Sequence, residues 1–150
     1  MLTQRLKVLP EDKDFKNRIH VNDDDPDIRN IEEETKANSF FRKVLYTGKH
    51  LQLVVMSLKP GEEIGTEIHP GVDQFFRVDA GEGKIVTDDG EGKIRDGFSV
   101  IVPAGTKHNI INTGDTDLKL YTLYAPPEHK DGEIQRKADR EEKENDNQSE

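Results

Sequence analysis

The sequence contains no cysteine. Disulfide frameworks and thiolate chemistry are therefore excluded, and any metal must be held by histidine, carboxylate or amide groups. Apolar residues are scarce too, at 31% against 35% charged. No apolar run approaches the length of a membrane span, so no membrane partner is expected. The opening stretch MLTQRLKVLP is too short and too polar for a secretory leader, and the expectation is a cytoplasmic protein. Positive charge is also in deficit: 22 Lys and Arg face 31 Asp and Glu, a formal net charge of -9. A surface this acidic repels phosphate backbones and argues against a nucleic-acid partner.

What apolar material exists is concentrated. The 150 residues suit one domain, and nearly all the Val, Ile, Leu and Phe runs fall between residues 40 and 125. Residues 1–39 read as a polar N-terminal arm, with IRNIEEETKA as a short helix and an edge strand near Arg18 to Val21 as the alternative to a solvated segment. Residues 126–150 read as a charged C-terminal tail, with a weak exposed helix along GEIQRKADREEKE.

Inside the body the runs are short. FFRKVLY, LQLVVMSL, EIH, QFFRVD, GKIVTDDGEGKI, FSVIVPAG, KHNIIN and LKLYTLYA are separated by Gly, Pro, Asp or Asn. Asp-Gly within TDDGEGK is a hairpin signal. Eight or nine short strands without a long helix predict an all-β sandwich or closed barrel.

The stretch GTEIHPGVDQFFRVDAG carries the first candidate chemistry. Residues two apart on a strand share a face, so Glu67 and His69 point the same way before the Pro70–Gly71 reversal. Gln74 opens the returning strand, with Phe76 and Val78 on its face. Later, GFSVIVPAGTKHNIIN ends an apolar strand at Pro103, turns, and begins the next strand at His108, with Ile110 and Asn112 on one face. Both histidines follow a strand-breaking Pro/Gly element, at one mouth of the expected barrel. His20, His50 and His129 sit in arm or turn contexts and read as structural or exposed.

At these residues the sequence resembles the cupin superfamily, whose second motif is G-x5-P-x-G-x2-H-x3-N. Gly97, Pro103, Gly105, His108 and Asn112 match every fixed position. Of the first motif, G-x5-H-x-H-x3or4-E-x6-G, Gly61, His69 and Gly81 match. Glu67 stands where a histidine is usual and Gln74 where the glutamate is usual. The resemblance implies a double-stranded β-helix, or jelly-roll, barrel and a divalent metal (Zn, Mn, Fe or Ni) held by Glu67, His69, Gln74 and His108. The substitutions move the carboxylate but keep a ligand charge of -1, as a variant site would and a decayed one would not.

Three activity classes follow from the resemblance. The first is a sugar-phosphate isomerase, similar to the core of cupin-type mannose-6-phosphate isomerases, with Glu67 as catalytic proton carrier and Lys107, Arg77 or Lys84 facing phosphate. The second is a non-haem iron dioxygenase with a greasy pocket of Phe76, Val78, Val100, Val102 and Ile110, joined by Asn112 and Tyr124. The third is a non-catalytic module that binds or senses a small ligand. A homodimer paired through an edge strand, FFRKVLY or the arm near His20, is the expected assembly.

Overall fold

The computed structural model describes residues 26–137. The elements in chain order are α1 (Ile31–Ala37), β1 (Arg42–Thr47), β2 (Gln52–Leu58), β3 (Asp73–Ala80), β4 (Glu82–Thr87), β5 (Gly90–Arg95), β6 (Ser99–Val102), β7 (His108–Asn112), β8 (Leu118–Ala125) and β9 (Ile134–Gln135). They form the jelly-roll barrel expected from the strand pattern: a six-stranded sheet, β6-β3-β8-β2-β1-β9, and a three-stranded sheet, β5-β4-β7. The strand pairings are antiparallel.

Period-two patterning decides which side chains fill the barrel. In β8, Leu118, Leu120, Thr122 and Tyr124 are buried while their neighbours are half-buried. β3 sends Gln74, Phe76 and Val78 inward, as expected, and leaves Arg77 outside. The apolar ones among them join Val54, Met56, Leu58 and Ile110 in one core. Each fully buried Leu, Met or Phe contributes about 1.5–3 kcal/mol relative to its exposed state. The β4–β5 hairpin turns through Asp88 and Asp89, pairing Thr87 with Gly90.

Two backbone details shape the barrel, the first at the end away from Gln74 and Tyr124 and the second along β7. Gly81 has φ +89°, and a Cβ there would lie 2.5 Å from the Asp117 carbonyl oxygen, so no other residue fits this crossing. The segment before β3 also lies along the free edge of β7: Ile64 N–H donates to the Ile110 carbonyl at 2.9 Å and Glu67 N–H to the His108 carbonyl at 2.9 Å. The expected EIH strand is thus a single bridge, Glu67 to His108, rather than a full strand.

The flanks are not bare. The short helix expected in IRNIEEETKA is present as α1, capped by the Asn30 side chain accepting from Glu33 N–H at 3.1 Å. α1 packs against β8, β3 and β2. Of the helix expected along GEIQRKADREEKE, residues 138–144 lie outside the described residues; at its start Ile134–Gln135 forms β9 and pairs with Arg42 and Lys43 of β1. That pairing covers part of the β1 edge expected to join two copies. The alternative edge near Arg18 to Val21, with His20, lies outside the described residues. Among the described residues no helix is long and apolar enough to cross a membrane.

Candidate metal centre

His108 is placed by the turn before β7. Gly105 at φ +82° lets the chain reverse, and its N–H donates to the His69 carbonyl at 3.0 Å, tying the two motif segments together. The bridge with Glu67 then brings residues 67 and 108 side by side through two backbone hydrogen bonds, 2.9 and 3.0 Å. The His108 ring is buried, and its Nδ1 lies 2.8 Å from the Thr106 carbonyl. A carbonyl only accepts, so Nδ1 carries the proton and Nε2 presents a bare lone pair. That Nε2 is buried and has no hydrogen-bond partner.

Its neighbours supply the rest of a donor set. One ligand atom each from Glu67, His69 and His108 lies within 4.8 Å of the others. The His69 and His108 ring centroids are 5.7 Å apart. Glu67 Oε2 sits 2.9 Å from His69 Nε2, and Glu128 Oε1 lies 3.4 Å from the opposite ring nitrogen. Gln74 is 3% exposed and donates through Nε2 to Thr122 Oγ1 at 3.0 Å. Its Oε1 is a second buried acceptor without a partner. Leaving a buried polar atom unpaired costs about 1–3 kcal/mol. Two such acceptors beside a carboxylate and a second imidazole fit a cation.

Of the expected pocket lining, Tyr124 and Phe76 stand at the centre. Tyr124 meets the His69 ring edge-on at 5.8 Å, and Phe76 meets His108 at 6.1 Å. Val78 and Ile110 are fully buried core residues, and Val100 packs against that core from β6. Asn112 is placed differently: Nδ2 donates to the Leu58 and Thr116 carbonyls and Oδ1 accepts from Gly114 N–H, each at 2.9 Å. These bonds engage its whole side-chain amide and tie the turn after β7 to the end of β2, a scaffold role.

Four residues near the site had no sequence signal of their own. Arg42 is buried on the inward face of β1, its Nη2 3.8 Å from Glu67 Oε1. An arginine within FFRKVLY reads as an outward polar residue. Thr122 reads as a β-former, and its hydroxyl matters only because register sets it beside Gln74. Glu128 and His129 belong to the charged tail by composition. The Gln52 side chain holds that segment back on the barrel: Oε1 accepts from His129 N–H at 2.9 Å and Nε2 donates to the His129 carbonyl at 2.7 Å.

These residues form one electrostatic unit. Burial raises the Tyr124 phenol above its ordinary range, opposed by the adjacent Arg42 cation, with which it hydrogen-bonds. Burial, then Arg42, lowers His129 below 6.5. Neutral His129 accepts through Nε2 from the Tyr124 hydroxyl at 3.2 Å, and its Nδ1 faces Glu133 at 3.2 Å. The cations expected for phosphate lie elsewhere. Arg77 faces Asp79 at 3.7 Å on the outer side, Lys84 reaches Glu91 at 3.3 Å, and Lys107 is exposed.

Comparison with known proteins agrees with this architecture. Residues 54–124 match the family described as Cupin domain. The YrkC protein of Bacillus subtilis (strain 168) is 49% identical over 117 residues, covering 73% of this chain and 62% of its own length. The crystal structure of the BH2720 protein from Bacillus halodurans is 45% identical, with a TM-score of 0.73 over 75% of this chain and 90% of that one. A Thermotoga maritima protein named as oxalate-binding is 33% identical over 68 residues, 45% of this chain and 56% of its own.

Proposed function

The chain belongs to the cupin superfamily, and we propose that it works through a resident divalent metal ion and takes a small organic ligand at the ion's open positions. The ion would be held by Glu67, His69 and His108, with the Gln74 carbonyl as fourth donor. The unpartnered, buried Nε2 of His108 carries this reading, because its proton is fixed on the far side of the ring and its lone pair faces the other donors. A bound ion would supply Lewis-acid polarisation of a ligand oxygen and, if iron, access to dioxygen chemistry.

The chain's own residues do the rest. His69 faces Glu67 through Nε2 and Glu128 through Nδ1, so shifting its proton to Nδ1 frees Nε2 for the ion and leaves Glu128 to orient the ring. Phe76 and Tyr124 wall the centre and limit water. Two imidazoles and one carboxylate favour the dioxygenase class among the three considered. The isomerase class has less support, since Arg77, Lys84 and Lys107 lie away from the centre. The relative named for oxalate binding supports a ligand of small size. A cytoplasmic homodimer belongs to the proposal; the exposed β6 edge, with Ile101 72% exposed, suits the pairing better than β1.

Elemental analysis of purified wild type and His108→Ala tests the centre. One equivalent of metal is expected in the wild type and close to none in the variant; full stoichiometry in His108→Ala would overturn the assignment. Oxygen uptake by iron-loaded protein on addition of candidate organic ligands separates the dioxygenase from the binding module.

A further inference from the structure

We propose that Arg42 receives a carboxylate group of the ligand, which makes the ligand a small organic acid held between this guanidinium and the metal centre. The inference rests on the reading of that centre given above and adds the class of molecule it takes.

The position of Arg42 carries it. β1 pairs Arg42 with Met56, and Met56 with Leu120 across the next ladder, both fully buried. The arginine thus shares the inward face, and the residue is 4% exposed. Part of the guanidinium is occupied: Nη1 donates to Gln135 Oε1 at 2.6 Å, and the Tyr124 hydroxyl hydrogen-bonds the group as well. The opposite edge differs. Nε is buried without a partner, and Nη2 stops 3.8 Å from Glu67 Oε1, beyond hydrogen-bond distance. Nε–H and Nη2–H project side by side from the planar group, a fork that matches the two oxygens of one carboxylate.

A purely structural ion pair would close on Glu67, because an unmatched buried cation is costly. In the proposed centre Glu67 serves the ion instead. A divalent ion together with Glu67 and Arg42 leaves two positive charges in excess among half-buried and buried groups. Glu128, on the far side of His69, is 35% exposed and offsets only part of this. An anionic ligand supplies the balance, and the Tyr124 hydroxyl, in the same network, adds a neutral polar contact. A single fork fits a planar monoanion; a phosphate dianion would call for the further cations that lie on the outside of the barrel.

The full chain serves for the test. Wild type, Arg42→Met and Arg42→Lys are titrated calorimetrically with Mn2+, then, metal-loaded, with acetate, oxalate and neutral acetamide, and each acid titration is repeated in EDTA. Metal-loaded wild type is expected to prefer acetate over acetamide by about tenfold or more. Arg42→Met removes a cation beside Glu67, so it should bind Mn2+ at least as tightly as wild type, yet weaken both acids by about 10- to 100-fold. Arg42→Lys keeps the charge without the fork and should fall between. No preference for acetate over acetamide in wild type overturns the proposal, as does a folded Arg42→Met or Arg42→Lys that binds oxalate like wild type. Should wild type bind no Mn2+, the metal centre fails separately; acid binding in EDTA that Arg42→Lys weakens would still uphold Arg42 as the receptor, and its absence would overturn it.

Discussion

Replacing Thr122 by valine removes one hydroxyl from the inside of the barrel and isolates its partner. Thr122 is fully buried and Gln74 is 3% exposed, so no solvent stands ready to replace the 3.0 Å hydrogen bond between them. Valine keeps the branched shape, but the Gln74 amide then loses its acceptor. Leaving that donor unsatisfied should cost about 1–3 kcal/mol. For a folded body of this size, each kcal/mol lowers the melting temperature by about 3–6 °C. A second effect concerns the centre. Thr122 anchors the amide nitrogen, which aims Oε1 away from Thr122; without the anchor the amide can rotate. Metal at a hundred times its Kd stabilises by about 2.7 kcal/mol, and a tenfold weaker site loses about 1.3 of that. The assay is thermal unfolding in EDTA and again with saturating Mn2+, on wild type, Thr122→Val, Gln74→Leu and the double variant. Because the amide is gone in Gln74→Leu, adding Thr122→Val there should cost little, giving a coupling of about 1 kcal/mol or more. Additive losses, or a Thr122→Val protein as stable as wild type in EDTA, would refute the buried hydrogen bond. An unchanged metal-linked gain in Gln74→Leu would remove Gln74 from the ligand set.

Two further predictions concern the segment folded back after β8. His129 titrates below 6.5 in the folded chain, because burial and Arg42 disfavour its charged form, so the folded state binds fewer protons than the unfolded one. The stability this gives is complete above pH 6.5 and is lost as pH falls through the lowered value. Urea titrations of wild type and His129→Gln from about pH 7 to about pH 5 should show a steeper loss in wild type; parallel curves would contradict it. Glu128→Gln weakens the carboxylate facing His69 Nδ1 across 3.4 Å and should reduce metal affinity about 10- to 100-fold, read by competition with a chelating dye, with little change in melting temperature in EDTA.

Much of the barrel can be read along the chain. LKLYTLYA alternates without interruption, and β8 buries every second residue. TDDGEGK turns where its Asp residues stand. The pair His69 and His108 was legible because glycine and proline at fixed distances from each histidine permit few backbone paths. EIH reads as a strand by pattern, but its partner is β7, more than forty residues away in sequence, and only Glu67 of the three forms a bridge there. The start of GEIQRKADREEKE reads as helical because charge spacing is local, but β1 offers an unpaired edge there and Ile134–Gln135 takes it. Asn112 looked like pocket lining because periodicity gives the face of a residue and says nothing about the carbonyls waiting there.

By itself, then, the sequence determined the strand periods, the turns that only glycine can make, and two histidines set at one mouth of the barrel. Those follow from steric and hydrophobic rules acting over a few residues. Tertiary structure alone decided that Arg42 faces inward, that Thr122 holds Gln74, and that Glu128 and His129 return to the site. Gln74 with Thr122, His69 with Glu128 and Gln52 with His129 join residues far apart in the chain. Their existence depends on the register of whole sheets and on where the chain ends its last long strand, and local pattern does not encode either.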